Sequence, residues 1–225
     1  MSGNAPGRAA TDPRGQHYLA DRRLAAELAD AAELLPADLV LDVGAGFGRL
    51  TEEVLRRAGH VVAIESDRRS VARLKSRFQG RGGVTIVADD ALQVPLPTRP
   101  FRVVANPPFH LTGPLLRRLL DDVAMPLQRA DLVLDWRAAI GLCAVSPPSR
   151  QSMGWQPWFQ FLLLRRLPAE RFTPPPAGDA ALVSIRRRAQ PMLPPGQAAG
   201  FRRWLRRCGA GGDVWDVVAR FRRGT

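Results

Sequence analysis

The stretch LVLDVGAGFGRLTEEVLRRAGHVVAIES, residues 39–66, decides the fold. LVLDV (39–43) is a short apolar run that ends in glycines, the signature of a buried strand. A helix from about Arg49 to Ala58 follows, and HVVAIE (60–65) is a second strand. The alternation continues outward. Residues 68–78 form a helix, VTIVADD (84–90) a third strand, and FRVVANPPF (101–109) a fourth, broken by two prolines. A helix over about 113–123 leads to a fifth strand, DLVLDW (131–136). Strands and helices alternating at this spacing predict an α/β fold with a mostly parallel sheet and helices on both faces. Ligands in such sheets bind at the carboxyl ends of the strands.

Upstream, DRRLAAELADAAELL (21–35) sets Leu24, Leu28, Ala31 and Leu35 on one helical face, and Pro36 stops that helix. Downstream, residues 137–157 are irregular, with Pro147, Pro148, Gly154 and Pro157, and predict a mobile loop near the site. Phe159–Leu167 and Ala180–Arg187 flank a turn and predict a closing antiparallel hairpin, for seven strands in all. Residues 1–15, rich in Gly, Pro, Ala and Arg, are expected to be disordered. Residues 16–188 make the main domain, and 189–225 a short basic appendage of one or two helices.

The chain has 225 residues and a net charge of +12, and all but one of its 33 basic residues are arginine. The guanidinium fork binds phosphate and stacks on bases, so the balance points to a nucleic acid partner. A GC-rich genome would explain arginine over lysine, but not bases over acids. Over 186–225 ten arginines face two acids, Asp213 and Asp216, and Phe201, Trp204, Trp215 and Phe221 interleave with them. Arg202, Arg203 and Arg206 are candidate substrate contacts. The plainer alternative is an amphipathic helix that packs its aromatics inward and leaves its arginines in solvent. Cys143 and Cys208 lack metal spacing and suit reduced thiols in a cytoplasmic protein, and the three histidines form no metal motif. No apolar run approaches the roughly 20 residues of a membrane span, and the N-terminus lacks a signal peptide's apolar segment. A monomer without metal or membrane attachment is expected.

Asp42-Val-Gly44-Ala45-Gly46-Phe-Gly48 ends the first strand. Its G-x-G-x-G spacing, with Arg49 where a dinucleotide loop would carry glycine, suits a ligand without a pyrophosphate, such as S-adenosylmethionine. Glu65, followed by Ser66, ends the second strand and can accept both ribose hydroxyls of an adenosine. Asp89-Asp90-Ala91 ends the third, where a carboxylate can accept from an adenine amine or cap a helix. Asn106-Pro107-Pro108-Phe109 ends the fourth. The Asn106 side-chain oxygen and the Pro107 carbonyl can accept both N–H bonds of an exocyclic amine and turn its lone pair toward a methyl donor. Phe109 can stack on a flipped-out base.

With these residues in view, the chain resembles the ribosomal RNA adenine N6-dimethyltransferases, and among them the Erm type. Gln16-His17-Tyr18-Leu19 resembles that family's Q-N-F-L, and DVGAGFGRLT its E-x-G-x-G-x-G-x-L-T. Glu65, Asp90-Ala-Leu and Asn106–Phe109 follow in order. Phe172-Thr-Pro174-Pro-Pro176, then Ala180-Ala-Leu-Val with Arg186 to Arg188, resembles F-x-P-x-P-x-V-D-S-A-L-x-x-x-x-R. The resemblance runs from Gln16 to about Arg188. It implies a Rossmann-like methyltransferase domain over 16–188 that methylates adenine N6 of 23S ribosomal RNA with S-adenosylmethionine. It also implies resistance to macrolide, lincosamide and streptogramin antibiotics. It puts Gln16, His17, Leu19, Gly44, Glu65, Asp90 and Asn106 on the cofactor, and Phe109 and Phe172 on the target base. The chain departs from the family at His17 (usually Asn), at Pro107 (usually Ile or Leu) and in LVLDWRAA, which lacks a Gln-x-Glu. Another exocyclic amine, such as guanine N2 or adenine N6 of DNA, and a non-catalytic RNA-binding role stay open.

Overall fold

The computed structural model describes residues 17–147 and 149–224. Gln16, the 1–15 segment and Pro148 lie outside them. After the short strand β1 (Tyr18–Leu19) and helix α1 (Arg22–Ala31), the chain alternates as its pattern predicts. It runs β2 (Leu39–Val43), α2 (Arg49–Leu55), β3 (His60–Ile64), α3 (Arg68–Arg77), β4 (Val84–Val87) and β5 (Phe101–Ala105). Then come α4 (Thr112–Leu120), β6 (Leu127–Asp135), α5 (Trp136–Cys143), α6 (Arg150–Met153), β7 (Phe159–Leu167), β8 (Phe172–Thr173) and β9 (Ala180–Arg187). Helices α7 (Ala198–Cys208) and α8 (Val214–Arg223) close the chain.

Seven strands form one sheet in the order β4-β3-β2-β5-β6-β9-β7. Pairing is parallel from β4 through β6, and β9 runs antiparallel to both β6 and β7. The expected hairpin is therefore the β7–β9 pair. Every residue of β2 and of β5 is buried, as central strands covered on both faces must be. Alternate residues serve two cores. Leu39, Leu41, Val43, Val103 and Ala105 pack with α4, while Val40 and Val104 pack with α1 and α2. The polar ends of the helices are met locally. Asp21 caps α1 by accepting from Leu24 N at 2.6 Å, and Asp67 caps α3 by accepting from Ser70 N at 2.9 Å.

The structure differs from the sequence reading at three places. Helix α1 stops at Ala31, short of Pro36, and Leu35 is 62% exposed. Two arginines from the sheet claim the freed carbonyls. Arg129 donates to Ala31 O at 2.6 Å, and Arg102 to Ala32 O at 2.6 Å and Glu33 O at 3.0 Å, with Glu33 at φ +53°. The 137–157 segment holds two helices, α5 and α6, each capped by the residue before it: Asp135 accepts from Arg137 N, and Ser149 from Gln151 N. Finally, β1 and β8 form a two-stranded ladder of their own, with Tyr18 opposite Thr173 and Leu19 opposite Phe172.

The 189–225 appendage shares its core with the sheet. Phe201, Leu205, Val217 and Phe221 belong to the same apolar cluster as Leu119, Leu132 and Trp158. Phe201 is fully buried, with the Trp158 ring edge-on at 6.1 Å and Phe221 at 5.2 Å. Phe201→Ala should therefore cost about 3–5 kcal/mol, in one cooperative transition of the whole chain. Urea unfolding followed by tryptophan fluorescence and by circular dichroism checks this. Two separate transitions would show that the helices fold as a unit of their own.

Candidate active site

The site forms where β2, β3, β4 and β5 end. The glycine loop after β2 is held from behind by the next strand. Gly44 N and Ala45 N donate to Ile64 O at 2.9 and 3.1 Å. Glu65 is buried and clamps the loop with both oxygens, accepting from Gly46 N at 2.8 Å and Asp67 N at 2.8 Å. A carboxylate has about four lone-pair positions, so Glu65 keeps capacity for about two further donors. Gly44 and Gly46 have φ of +72° and +55°, and their lack of Cβ is used twice over. A Cβ at Gly44 would meet Pro108 Cδ at 3.2 Å, so the loop packs directly on the proline turn after β5. A Cβ at Gly46 would meet the Tyr18 ring at 2.9 Å. Gly48 packs under Phe78 and Leu74 of α3.

A cleft opens in front of this loop. His17, Gly44, Glu65, Ser66, Asp89, Asp90, Ala91 and Asn106 all line it, together with Tyr18, Ile64, Pro108 and Leu111. Asp90 Oδ1 accepts from Leu92 N at 2.9 Å and Asp89 Oδ1 from Asp90 N at 2.7 Å, which folds both carboxylates into a tight turn at the mouth. A second chamber adjoins the first through Tyr18, Gly44 and Asn106, and is bordered by Leu19, Ala45, Asp42, Arg49 and Thr173. Among the described residues no cluster of three His, Cys, Asp or Glu could hold a metal, and no helix is long and apolar enough to cross a membrane.

The segment carrying His17 and Tyr18 is strapped across the cleft. Asn106 Nδ2 donates to His17 O at 2.7 Å, and Arg49 Nη1 donates to Leu19 O at 2.5 Å and Ala20 O at 2.6 Å. His17 Nδ1 lies 2.9 Å from Pro174 O, and since a carbonyl only accepts, that nitrogen carries the proton. Asn106 Oδ1 is buried and has no partner among the described residues. Pro107 is buried beside Gly44, and Phe109 is half-buried with its ring 5.4 Å from that of His17.

The other expected site residues lie elsewhere. Phe172 is 2% exposed and packed in the α1–α2 core with Leu19, Leu24 and Leu182, so its ring offers no face to a base. Arg202 spends its guanidinium on Asp121 O at 2.6 Å and Leu120 O at 3.2 Å, the last carbonyls around α4, so it serves as an anchor of α7. Arg203 and Arg206 are exposed on α7, the helix that Arg202 anchors at the end of α4 far from Phe109. Sequence reasoning missed a stack at the mouth. Tyr18 lies on Phe47 at 4.6 Å, and Arg73 covers the other side of Phe47 at 4.5 Å. Tyr18 and Phe47 both stood inside quoted motifs without a role assigned to their rings; nothing in the sequence pointed to Arg73.

Asp42 lies under the loop, 1% exposed, and accepts from Thr51 Oγ1 at 2.6 Å. Burial, with the Glu65 charge adding to it, pushes its carboxyl up to about 7.

The seven-stranded sheet, with the glycine loop, the carboxylates on the next two strands and the Asn-Pro-Pro-Phe turn at its strand ends, is a Rossmann-like fold of the kind found in methyltransferases. The chain belongs to the ribosomal RNA adenine dimethylase family, whose model matches residues 10–208. It is 37% identical over 177 residues to a ribosomal RNA small subunit methyltransferase A of Gloeobacter violaceus, covering 76% of this chain and 65% of that one. It is 34% identical over 179 residues to the mycinamicin-resistance protein MyrB of Micromonospora griseorubida, covering 80% of this chain and 56% of that one. The chain thus spans less than two thirds of the length of these relatives. The crystal structure of the 23S rRNA methyltransferase ErmE superposes with a TM-score of 0.75 at 28% identity, over 90% of this chain and 84% of that one.

The raised carboxyl of Asp42 has a consequence for stability. The folded chain holds that proton up to about 7, whereas an unfolded aspartate gives it up near 3.8. Folding is favoured by this group at low pH, and the gain is lost as pH rises through that window. Wild type should therefore lose more thermal stability than Asp42→Asn between about pH 5 and about pH 8. Parallel melting curves for the two proteins would refute the assignment.

Proposed function

We propose that the chain transfers methyl groups from S-adenosylmethionine to N6 of an adenine in 23S ribosomal RNA, acting in the cytoplasm. The observation that carries this is the Asn106 amide. Its Nδ2–H bond to His17 O at 2.7 Å fixes which way the amide faces and leaves Oδ1 as a buried, unpartnered acceptor where the two chambers meet. Leaving such an atom unpaired costs about 1–3 kcal/mol, a cost that a donor arriving with the substrate would remove. An exocyclic amine is that donor.

The residues fit the cofactor. Glu65 takes the ribose hydroxyls, Asp89 and Asp90 stand where the adenine amine arrives, Ile64 supplies apolar surface for the ring, and the second chamber suits the amino-acid end. When bound, S-adenosylmethionine supplies an electrophilic methyl on a positively charged sulfur. Asn106 Oδ1 and the Pro107 carbonyl accept the two N–H bonds of the target amine, so its lone pair turns out of conjugation and toward that methyl. Phe109, with the His17 ring beside it, holds the base by stacking. The methyl that the cofactor supplies would pass to the amine nitrogen held by Asn106 Oδ1 and the Pro107 carbonyl, the sulfur would leave as a neutral thioether, and the amine's proton would go to water. This needs neither a strong base nor a metal.

The likeness to ErmE and to MyrB supports 23S RNA as substrate and antibiotic resistance as outcome. The similarity to the Gloeobacter protein, named for the small subunit, supports 16S adenines as the second reading. Guanine N2 is a third, favoured by Pro107, because the acceptor pair would serve that amine equally. Replacing Asn106 by Ala tests the mechanism. Transfer of labelled methyl to ribosomal RNA should fall by at least about 10²-fold, while calorimetric affinity for S-adenosylmethionine stays within about tenfold. Turnover near wild type in that variant would contradict the proposed role.

A further inference from the structure

Some arginines of this chain are paired with acids and others are not; Arg68, Arg69 and Arg73 of α3 are exposed with no ion pair among the described residues. On the α1–α3 side, Arg22, Arg23, Arg56, Arg57, Arg77 and Arg81 each have a carboxylate within ion-pairing distance. On the opposite side of the sheet, Arg117 of α4, Arg150 of α6 and Arg203, Arg206 and Arg207 of α7 are all exposed. None of these five is in an ion pair among the described residues. The acids nearby are already engaged, with Asp121 accepting from Trp155 Nε1 at 2.7 Å and Asp122 from Ala124 N at 2.9 Å. Five unpaired arginines against Asp121 and Asp122 leave the face net positive, and a polyanion covering it would offset the self-repulsion.

This face is continuous with the site. The cofactor cleft reaches Ala91 and Leu111. A shallow groove takes over at Leu92 and Pro114, runs past Arg117 and reaches Asp121. There a second depression opens, with Arg150 and Arg206 on its border. Helix α4 is the ruler, starting three residues after Phe109 and having nine residues, about 14 Å. Arg202, bonded to the carbonyls at the far end of α4, fixes α7 against that ruler. The arginines therefore stand at a set distance from the target amine.

We propose that the α4–α6–α7 face is a track for the phosphate backbone of RNA flanking the target nucleotide, with Arg150, Arg203 and Arg206 as its distal contacts. The inference rests on the RNA substrate proposed above. At about 3.4 Å per nucleotide step, α4 alone spans roughly four steps, so only RNA extending well beyond the target reaches α7. These arginines set affinity and register and stay outside the chemistry.

The test compares wild type with Arg150→Gln/Arg203→Gln/Arg206→Gln on two RNAs. One is a 23S fragment with about ten base pairs beside the target. The other is a short oligonucleotide with two nucleotides on either side. On the long RNA the variant should bind at least tenfold more weakly, with raised KM and kcat within twofold. The slope of log affinity against log salt should shrink by about 2 to 3. On the short RNA the two proteins should match. Arg23→Gln, at an arginine paired with Glu27 on α1, should leave both RNAs unaffected. An unchanged salt slope on the long RNA would overturn the proposal, as would equal loss on both RNAs, which would place the effect in the active site. A wild type that methylates neither RNA but binds the long one through these arginines would contradict the functional reading and leave the track standing.

Discussion

The hydrogen bond from Asn106 Nδ2 to the carbonyl of His17, 2.7 Å long, joins segments 89 residues apart and sets the chemistry of the site. It spends the amide nitrogen on the strap and leaves the oxygen as a buried acceptor without a partner among the described residues. It also ties down the strap that covers the glycine loop. The strap is held at its other points by the β1–β8 ladder, by Arg49 on two carbonyls and by Tyr18 over Gly46. A methyl acceptor with a delocalised lone pair needs a fixed acceptor more than it needs a base.

Charge is distributed with the same economy. Two carboxylates lie under or behind the glycine loop, Asp42 and Glu65, and the structure treats them differently. Glu65 receives two backbone N–H groups. Asp42 receives the hydroxyl and the backbone N–H of Thr51, and burial still holds its proton to about 7. At the opposite ends of the strands, Arg102 and Arg129 are spent on the last carbonyls of α1 and on Asp38 and Asp131. Arginines without carboxylate partners lie on the α4–α6–α7 face, at Arg117, Arg150, Arg203, Arg206 and Arg207, and also on α3, at Arg68, Arg69 and Arg73.

Much of the fold was legible because buried parallel strands are short apolar runs, and each ended in a residue with chemistry to offer. Glu65, the two aspartates and Asn106 converge in one cleft for that reason. What the sequence hid depends on partners far along the chain. The end of α1 is set by Arg102 and Arg129, about 70 and 98 residues later. Neither β1 nor β8 has enough residues to show a period, so their pairing was invisible. Phe172 belonged to a specific motif, yet a motif does not say which way a ring turns, and this ring went inward. Arg202 has the right chemistry for phosphate, but helix carbonyls claimed it first.

The most direct test is nucleoside mass spectrometry of 23S and 16S RNA after methyl transfer from isotopically labelled S-adenosylmethionine. The account predicts label in N6-methyladenosine or N6,N6-dimethyladenosine of 23S RNA. Label on guanosine, or none on either RNA, would contradict it.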